Sequence, residues 1–162
     1  MAEKNNKKNY PKNLWSGLLF GIGLVAFIDE AVFHQLLHWH HFYDKSTTGI
    51  GLVSDGFFHA FSWFATVGSL FMLADLRRRG GWLPMRWFGG LFLGAGGFQL
   101  YDGTIQHKLM GLHQIRYDVS IVLYDMVWYI TSVMIIVIGI ALLARSGRKS
   151  NKTGVTTNHA SN

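Results

Sequence analysis

The chain has 162 residues, 49% of them apolar and 15% aromatic, with a net charge of +6 and no cysteine. That length suits one domain, and the lack of cysteine excludes disulfides, thiolate metal sites and iron–sulfur clusters. A basic chain invites a nucleic-acid reading, but its charge is distributed otherwise: 12 of the 15 Lys and Arg residues lie in the two ends and the Arg77 to Arg86 turn.

Residues 1–13 are polar and lysine-rich and read as a flexible cytoplasmic end. From Leu14 to about Leu37 the chain is apolar, long enough to cross a hydrocarbon layer of roughly 30 Å as a helix. A signal peptide is a poor reading, since no small-x-small cleavage site follows and a similar run recurs from Trp87 to Met110. A polar connection leads to Asp55, which opens a second apolar run ending near Leu76, with Ser54 or Asp55 as its cap. Arg77 to Gly81 make a basic turn, Pro84 suits a helix's first turn, and a third span runs to about Thr104. A second polar connection precedes the fourth and most apolar span, from about Val119 to Ala144. Residues 145–162 read as a disordered cytoplasmic tail that includes His159.

These runs predict an all-α integral membrane protein, a bundle of four transmembrane helices in two hairpins, residues 14–76 and 77–144. The positive-inside rule puts both termini in the cytoplasm and hence the protein in a plasma membrane. Seven of the nine acids and seven of the eight histidines then fall in the outer half or outer connections. The basic charge is topological, so no nucleic-acid partner is expected, only the bilayer and a lipid or small-molecule substrate. Trp15, Trp39, Trp82 and Trp87 read as interface anchors.

The hairpins are related to each other. At an offset of 73, Gly17, Leu18, Gly21, Gly23, Asp29, His34, Leu36 and His40 recur as Gly90, Leu91, Gly94, Gly96, Asp102, His107, Leu109 and His113. Each half thus carries D-x4-H-x5-H. A weaker offset of 70 pairs Asp55 with Asp125 and Ser62 with Ser132, and sets His59 against Tyr129. Such a duplication implies a pseudo-twofold axis along the membrane normal. Gly17, Gly21, Gly90 and Gly94 have the small-x-x-x-small spacing that lets helices approach closely, so the first and third helices are expected to meet there.

Ionisable groups inside a bilayer cost about 2.5–3.5 kcal/mol each, so several in one layer call for a shared partner. Carboxylate and imidazole without thiolate suit zinc, iron or manganese. Helical spacing lets His34 join His38, and Asp55 join His59. The candidate ligands are His34, His38, Asp55, His59, His107, His113 and Asp125, with His34, His59, His107 and one of the two aspartates as the inner set. Asp29 and His34 stand five apart, about 140° on an ideal helix, and can share an ion only where the helix is distorted or ends. Otherwise Asp29 orients a histidine. In a metal-dependent hydrolase or oxidase, Asp29, Glu30 or Asp102 would be the base and Tyr129 or Tyr124 the proton donor.

Two further readings stay open. His34 and His107 are candidate axial ligands of a b-type haem electron carrier. The site can also serve metal handling or assembly of a respiratory enzyme, and an Asp–His network can be satisfied without any metal. At F-I-D-E-A-V-F-H-Q-L-L-H-W-H-H, S-D-G-F-F-H, Y-D-G-T-I-Q-H-K-L-M-G-L-H-Q-I-R-Y and L-Y-D-M-V-W the chain resembles a family of four-span bacterial membrane proteins of unknown function. The resemblance covers about residues 14–145 and implies a bacterial inner-membrane location. It carries no activity.

Overall fold

A computed structural model describes the backbone of residues 2–159 and the side chains of residues 9–147. All regular structure among the described residues is helical: α1 (Ala2–Asp29), α2 (Thr48–Arg78), α3 (Pro84–Tyr101) and α4 (Ile121–His159). Two π-helical segments, Glu30–Leu36 and Asp102–Leu109, continue α1 and α3 without a break. α1 runs through the lysine-rich stretch read above as a flexible end, and α4 runs on through the tail to His159. A helix once nucleated in an apolar run propagates cheaply through lysine and asparagine.

Three stretches are long and apolar enough to cross a membrane: Asn9–Leu36, Thr48–Arg78 and Ile121–Gly147. α3 falls short of that measure because glycine, which adds little hydropathy, fills five of its 18 positions beside Arg86 and Gln99. Its neighbours explain the composition. α1 and α3 pack at the centre, α2 lies against α1, and α4 lies against α3. The lipid-like surface belongs to the outer helices, where Phe57, Phe64 and Phe71 of α2 and Val133 and Val137 of α4 are exposed.

The α1–α3 contact is made through missing side chains. A methyl group on Gly17 or Gly21 would strike the backbone carbonyl of Trp87 or Leu91, and one on Gly90 or Gly94 would strike that of Leu14 or Leu18. These contacts form two reciprocal pairs, each related by 73 positions. The lateral contacts repeat as well: Gly23 meets the Ser62 carbonyl, and Gly96 meets that of Ser132. Both serines are fully buried.

Two local expectations change. α2 starts at Thr48 with Thr47 as its cap, accepting from the Ile50 amide, so Asp55 lies in the second turn and not at the helix start. Trp87 is buried, its indole N–H donating to Ser16 Oγ at 3.1 Å, and is a packing residue where an interface anchor was expected. Asp75 accepts from Arg78 and Arg79 at the other end of α2.

Candidate metal centre

The centre is built by a change of helix type. A π-helix closes i to i+5 bonds, so residues five apart come onto one face. α1 becomes π-helical at Glu30 and α3 at Asp102, and these transitions align Asp29 with His34 and Asp102 with His107. After each segment the chain turns at a positive φ, 49° at His38 and 54° at Gly111, again 73 positions apart. The backbone bonds around the turns match too: Leu37 to Val32 and Trp39 to Phe33 in one half, Met110 to Ile105 and Leu112 to Gln106 in the other. Each turn returns a further histidine, His40 or His113, over its own aspartate.

The result is two groups of one carboxylate and two imidazoles: Asp29, His34 and His40, and Asp102, His107 and His113. Within each, the potential ligand atoms lie within 4.8 Å of one another. Ligands about 2.1 Å from one ion stand roughly 3–4 Å apart, so a small contraction closes either group. All six side chains are buried. The His40 and His113 rings stack at 4.5 Å with only 4° between their planes, and His34 and His107 meet their edges at 4.5 and 4.6 Å.

The hydrogen bonds decide which nitrogens are free. His40 Nδ1 donates to the Ile115 carbonyl at 2.8 Å, and His113 Nδ1 donates to the Phe42 carbonyl at 2.9 Å, one more pair related by 73 positions. A protonated Nδ1 leaves Nε2 as a bare lone pair, the usual way a metal-binding histidine is held. Nε2 of His34, His40, His107 and His113 has no hydrogen-bond partner, nor does Asp102 Oδ2. His107 Nε2 is 2.9 Å from that oxygen, at an angle that makes no hydrogen bond. Burial pushes the His40 imidazolium down to about 2, helped by neighbouring His113, and burial pushes His113 down to about 4 against the pull of Asp102. Both rings are therefore neutral near pH 7, ready to donate a lone pair.

A third group, Glu30, His34 and Asp55, adjoins the first. Asp55 Oδ1 accepts from His34 Nδ1 at 3.0 Å and from the Phe42 amide at 2.7 Å, and Oδ2 accepts from His41 Nδ1 at 2.6 Å. Glu30 Oε2 lies 2.9 Å from His34 Nδ1, and its other oxygen accepts from Gln35. A cavity of about 350 Å³, lined by His38, Trp39, His40, His41, Asp44 and Tyr117, reaches this side of the cluster from the surface.

Of the residues singled out by sequence, Asp29, Glu30, His34, Asp55, Asp102, His107 and His113 come together here. His38 is exposed on the turn, because the π-helix ends at Leu36 and the positive φ rotates it outward. His59 is exposed one turn below Asp55, with its ring 5.6 Å from Phe27. Asp125 is ion-paired with Lys108. The Tyr129 hydroxyl donates to the Gly103 carbonyl, and the Tyr124 hydroxyl accepts from Arg116. The side chain of His159 lies outside the described residues. The ligand list from sequence omitted His40, although the 73-residue offset pairs it with His113, and gave His41 no role; nothing in the sequence marked His41.

Residues 16–146 match the model of a family described as a predicted membrane protein, DUF2243. The chain belongs to this family. No curated protein and no solved structure matches it. The matched range takes in both π-helical segments, all three groups, the span Thr48–Arg78 and most of the other two apolar spans.

Proposed function

We propose that this membrane protein binds divalent metal in the layer formed by its two π-helical segments. One ion is held by Asp29, His34 and His40 and a second by Asp102, His107 and His113. The observation that carries the reading is the set of four buried imidazole Nε2 atoms without hydrogen-bond partners, grouped with two carboxylates. Leaving one such atom without a partner costs about 1–3 kcal/mol, and a cation in each group satisfies both of that group's imidazoles at once. Two imidazoles and one carboxylate with open positions suit iron(II), zinc or manganese. A bound ion of this kind polarises a carbonyl or activates water or dioxygen, which makes a metal-dependent hydrolase or oxidase the preferred class. Glu30, buried beside His34 with one free oxygen, is the candidate base.

The same reading takes the chain as four spans in two duplicated hairpins. The reciprocal glycine contacts and the matched hydrogen bonds support a pseudo-twofold axis between α1 and α3. With its π extension, α3 becomes long enough to cross beside the other three. The charge distribution supports cytoplasmic termini in the inner membrane, with the metal layer on the outer side. The haem alternative needs a macrocycle between His34 and His107, where the His113 ring stands 6.0 Å from one and 4.6 Å from the other.

Elemental analysis and an absorption spectrum on one detergent-purified sample test the proposal. The expected result is zinc, iron or manganese at about two ions per chain, lost in a His34→Ala/His107→Ala double variant and unchanged in His159→Ala. A Soret band lost in the double variant would replace the reading by the haem carrier. Absence of both metal and haem would leave a hydrogen-bonded core and end the catalytic claim.

A further inference from the structure

A second cavity, about 420 Å³, lies outside the three metal groups, and none of their residues lines it. Its wall on α4 is the stripe Tyr124, Val127, Trp128 and Thr131, spaced i, i+3, i+4 and i+7, which runs about 10 Å along the helix. Phe33 of the first π-helical segment and Trp39 of the turn after it form the opposite wall. Val127 is more than half exposed on the apolar span Ile121–Gly147, so the groove opens sideways to whatever surrounds that span. In a membrane protein, that is the acyl region of the bilayer.

One end of the groove carries a charge. The Arg116 guanidinium stands over the rings of Trp39 and Tyr124, at 4.9 and 5.8 Å from their centroids, and donates to the Tyr124 hydroxyl at 2.8 Å. Both aromatic residues line the groove. Among the described residues no carboxylate pairs with Arg116. A half-buried guanidinium that keeps four of its five N–H donors free is suited to a phosphate. The corresponding place in the other half is filled: Phe58, which stands 70 positions before Trp128, is buried and stacks on Phe42 at 4.9 Å.

We propose that this groove holds one acyl chain of an acidic phospholipid whose phosphate rests on Arg116. Only an amphiphile satisfies an apolar slot open to the bilayer and a cation at its end. The site goes beyond the metal reading and does not depend on it.

Full-length protein is equilibrated in vesicles of equimolar phosphatidylglycerol and phosphatidylcholine, re-extracted in mild detergent and weighed by native mass spectrometry. The expected result is retained phospholipid in which phosphatidylglycerol exceeds phosphatidylcholine about fivefold, the factor one cation supplies for a net-anionic headgroup over one whose phosphate is offset by its own choline. Arg116→Gln should bring the ratio to that of the vesicles, and Arg116→Lys should keep most of the preference. Val127→Trp, which fills the slot, should remove both lipids. Metal content and helix content, read on the same samples, should stay at wild-type values in all three variants. A wild-type protein without preference, an Arg116→Gln protein that keeps it, or a Val127→Trp protein that still retains lipid would each overturn the site. Displacement of the lipid by inorganic phosphate would also overturn it, since the slot would then contribute nothing. Metal missing from wild type defeats the metal reading alone and leaves the lipid result readable.

Discussion

The two halves of the molecule share a frame and differ in what they surround with it. His34 and His107 occupy matched positions in matched π-helical segments, each beside its own aspartate. Around His34 stand two more buried acids, Glu30 and Asp55, with His41 bonded to the second. Around His107 the matched positions are Gly103 and Asp125. A side chain on Gly103 would run into the Trp128 indole, and Asp125 has turned out to Lys108. His107 Nδ1 is left without a hydrogen-bond partner, whereas His34 Nδ1 bonds to Asp55. The matched backbone thus brings together two alike groups that could hold a metal ion, and the unmatched side chains make only the first half rich in carboxylate. If one half performs chemistry and the other structural binding, the first is the reactive one.

The largest test of that difference separates the two histidines. His34→Ala removes the imidazole shared by the first and third groups and leaves Asp29, Glu30 and Asp55 facing one another without it. Uncompensated buried charge of that kind costs about 3–5 kcal/mol, so loss of the first-half ion should come with a clear fall in thermal stability. His107→Ala leaves one acid, Asp102, and should lose its ion with a smaller fall. Metal per chain and melting temperature, measured on both variants, check this. Equal melting temperatures would mean that the extra acids do not distinguish the halves.

Asp55→Asn probes the same contrast through the carboxylate that bonds His34 and His41. Asp55 accepts from two imidazoles and one amide, and an asparagine at that place presents an N–H to at least one donor. Loss of such an orienting carboxylate typically lowers metal affinity 10–100-fold. Competition with a chelator of known affinity should show a decrease in that range for the first-half ion and none for the second. An unchanged affinity would mean that His34 holds its tautomer without Asp55.

A third test asks whether the frame is as symmetric as its contacts. Gly21→Ala and Gly94→Ala each push a methyl group into a backbone carbonyl of the facing helix, Leu91 in one case and Leu18 in the other. Overpacking against a rigid neighbour costs about 1–3 kcal/mol. The two variants should lose stability equally in a denaturation series, and Gly97→Ala, with nothing close to its new methyl, should lose none. A marked inequality between the first two would place the symmetry in the sequence pattern alone.

Much of this frame is legible in the sequence, because it rests on short-range rules. The glycine spacing announced the close approach of α1 and α3, and the five-residue step from Asp29 to His34 announced that a regular helix could not bring both to one ion. The kind of distortion was not legible, since nothing in the composition distinguishes a π-helical turn from a helix end. Nor was the part played by His40, whose place over Asp29 depends on the turn at His38 and on a carbonyl 75 positions away. The helical spacing of Asp55 and His59 places them one turn apart on α2 and does not say that only the first of them is buried. Asp55, nearly two turns inside α2, is bonded to the loop that carries His41 and Phe42, whereas His59, a turn deeper, is exposed beside Phe27. α3 looked like the other spans in sequence and differs from them in hydropathy because glycine serves its packing at the centre.

The smallest effect should come from the position most alike on paper. Asp125 matches Asp55 at the offset of 70, and a reading by position alone gives the two equal weight. Its carboxylate, however, meets the ammonium of Lys108, which is 43% exposed, and takes no part in any of the three groups. An ion pair this open to solvent contributes about 0–1 kcal/mol, less at high salt. Asp125→Asn and Lys108→Gln should therefore each shift stability by no more than that amount, add nothing to one another when combined, and leave metal content and affinity as in wild type. A loss of second-half metal in Asp125→Asn that Lys108→Gln does not reproduce would show the carboxylate swinging inward to His107 when an ion binds. The halves would then be alike in their occupied state, and the carboxylate-rich first half would no longer be the reason to place the chemistry there.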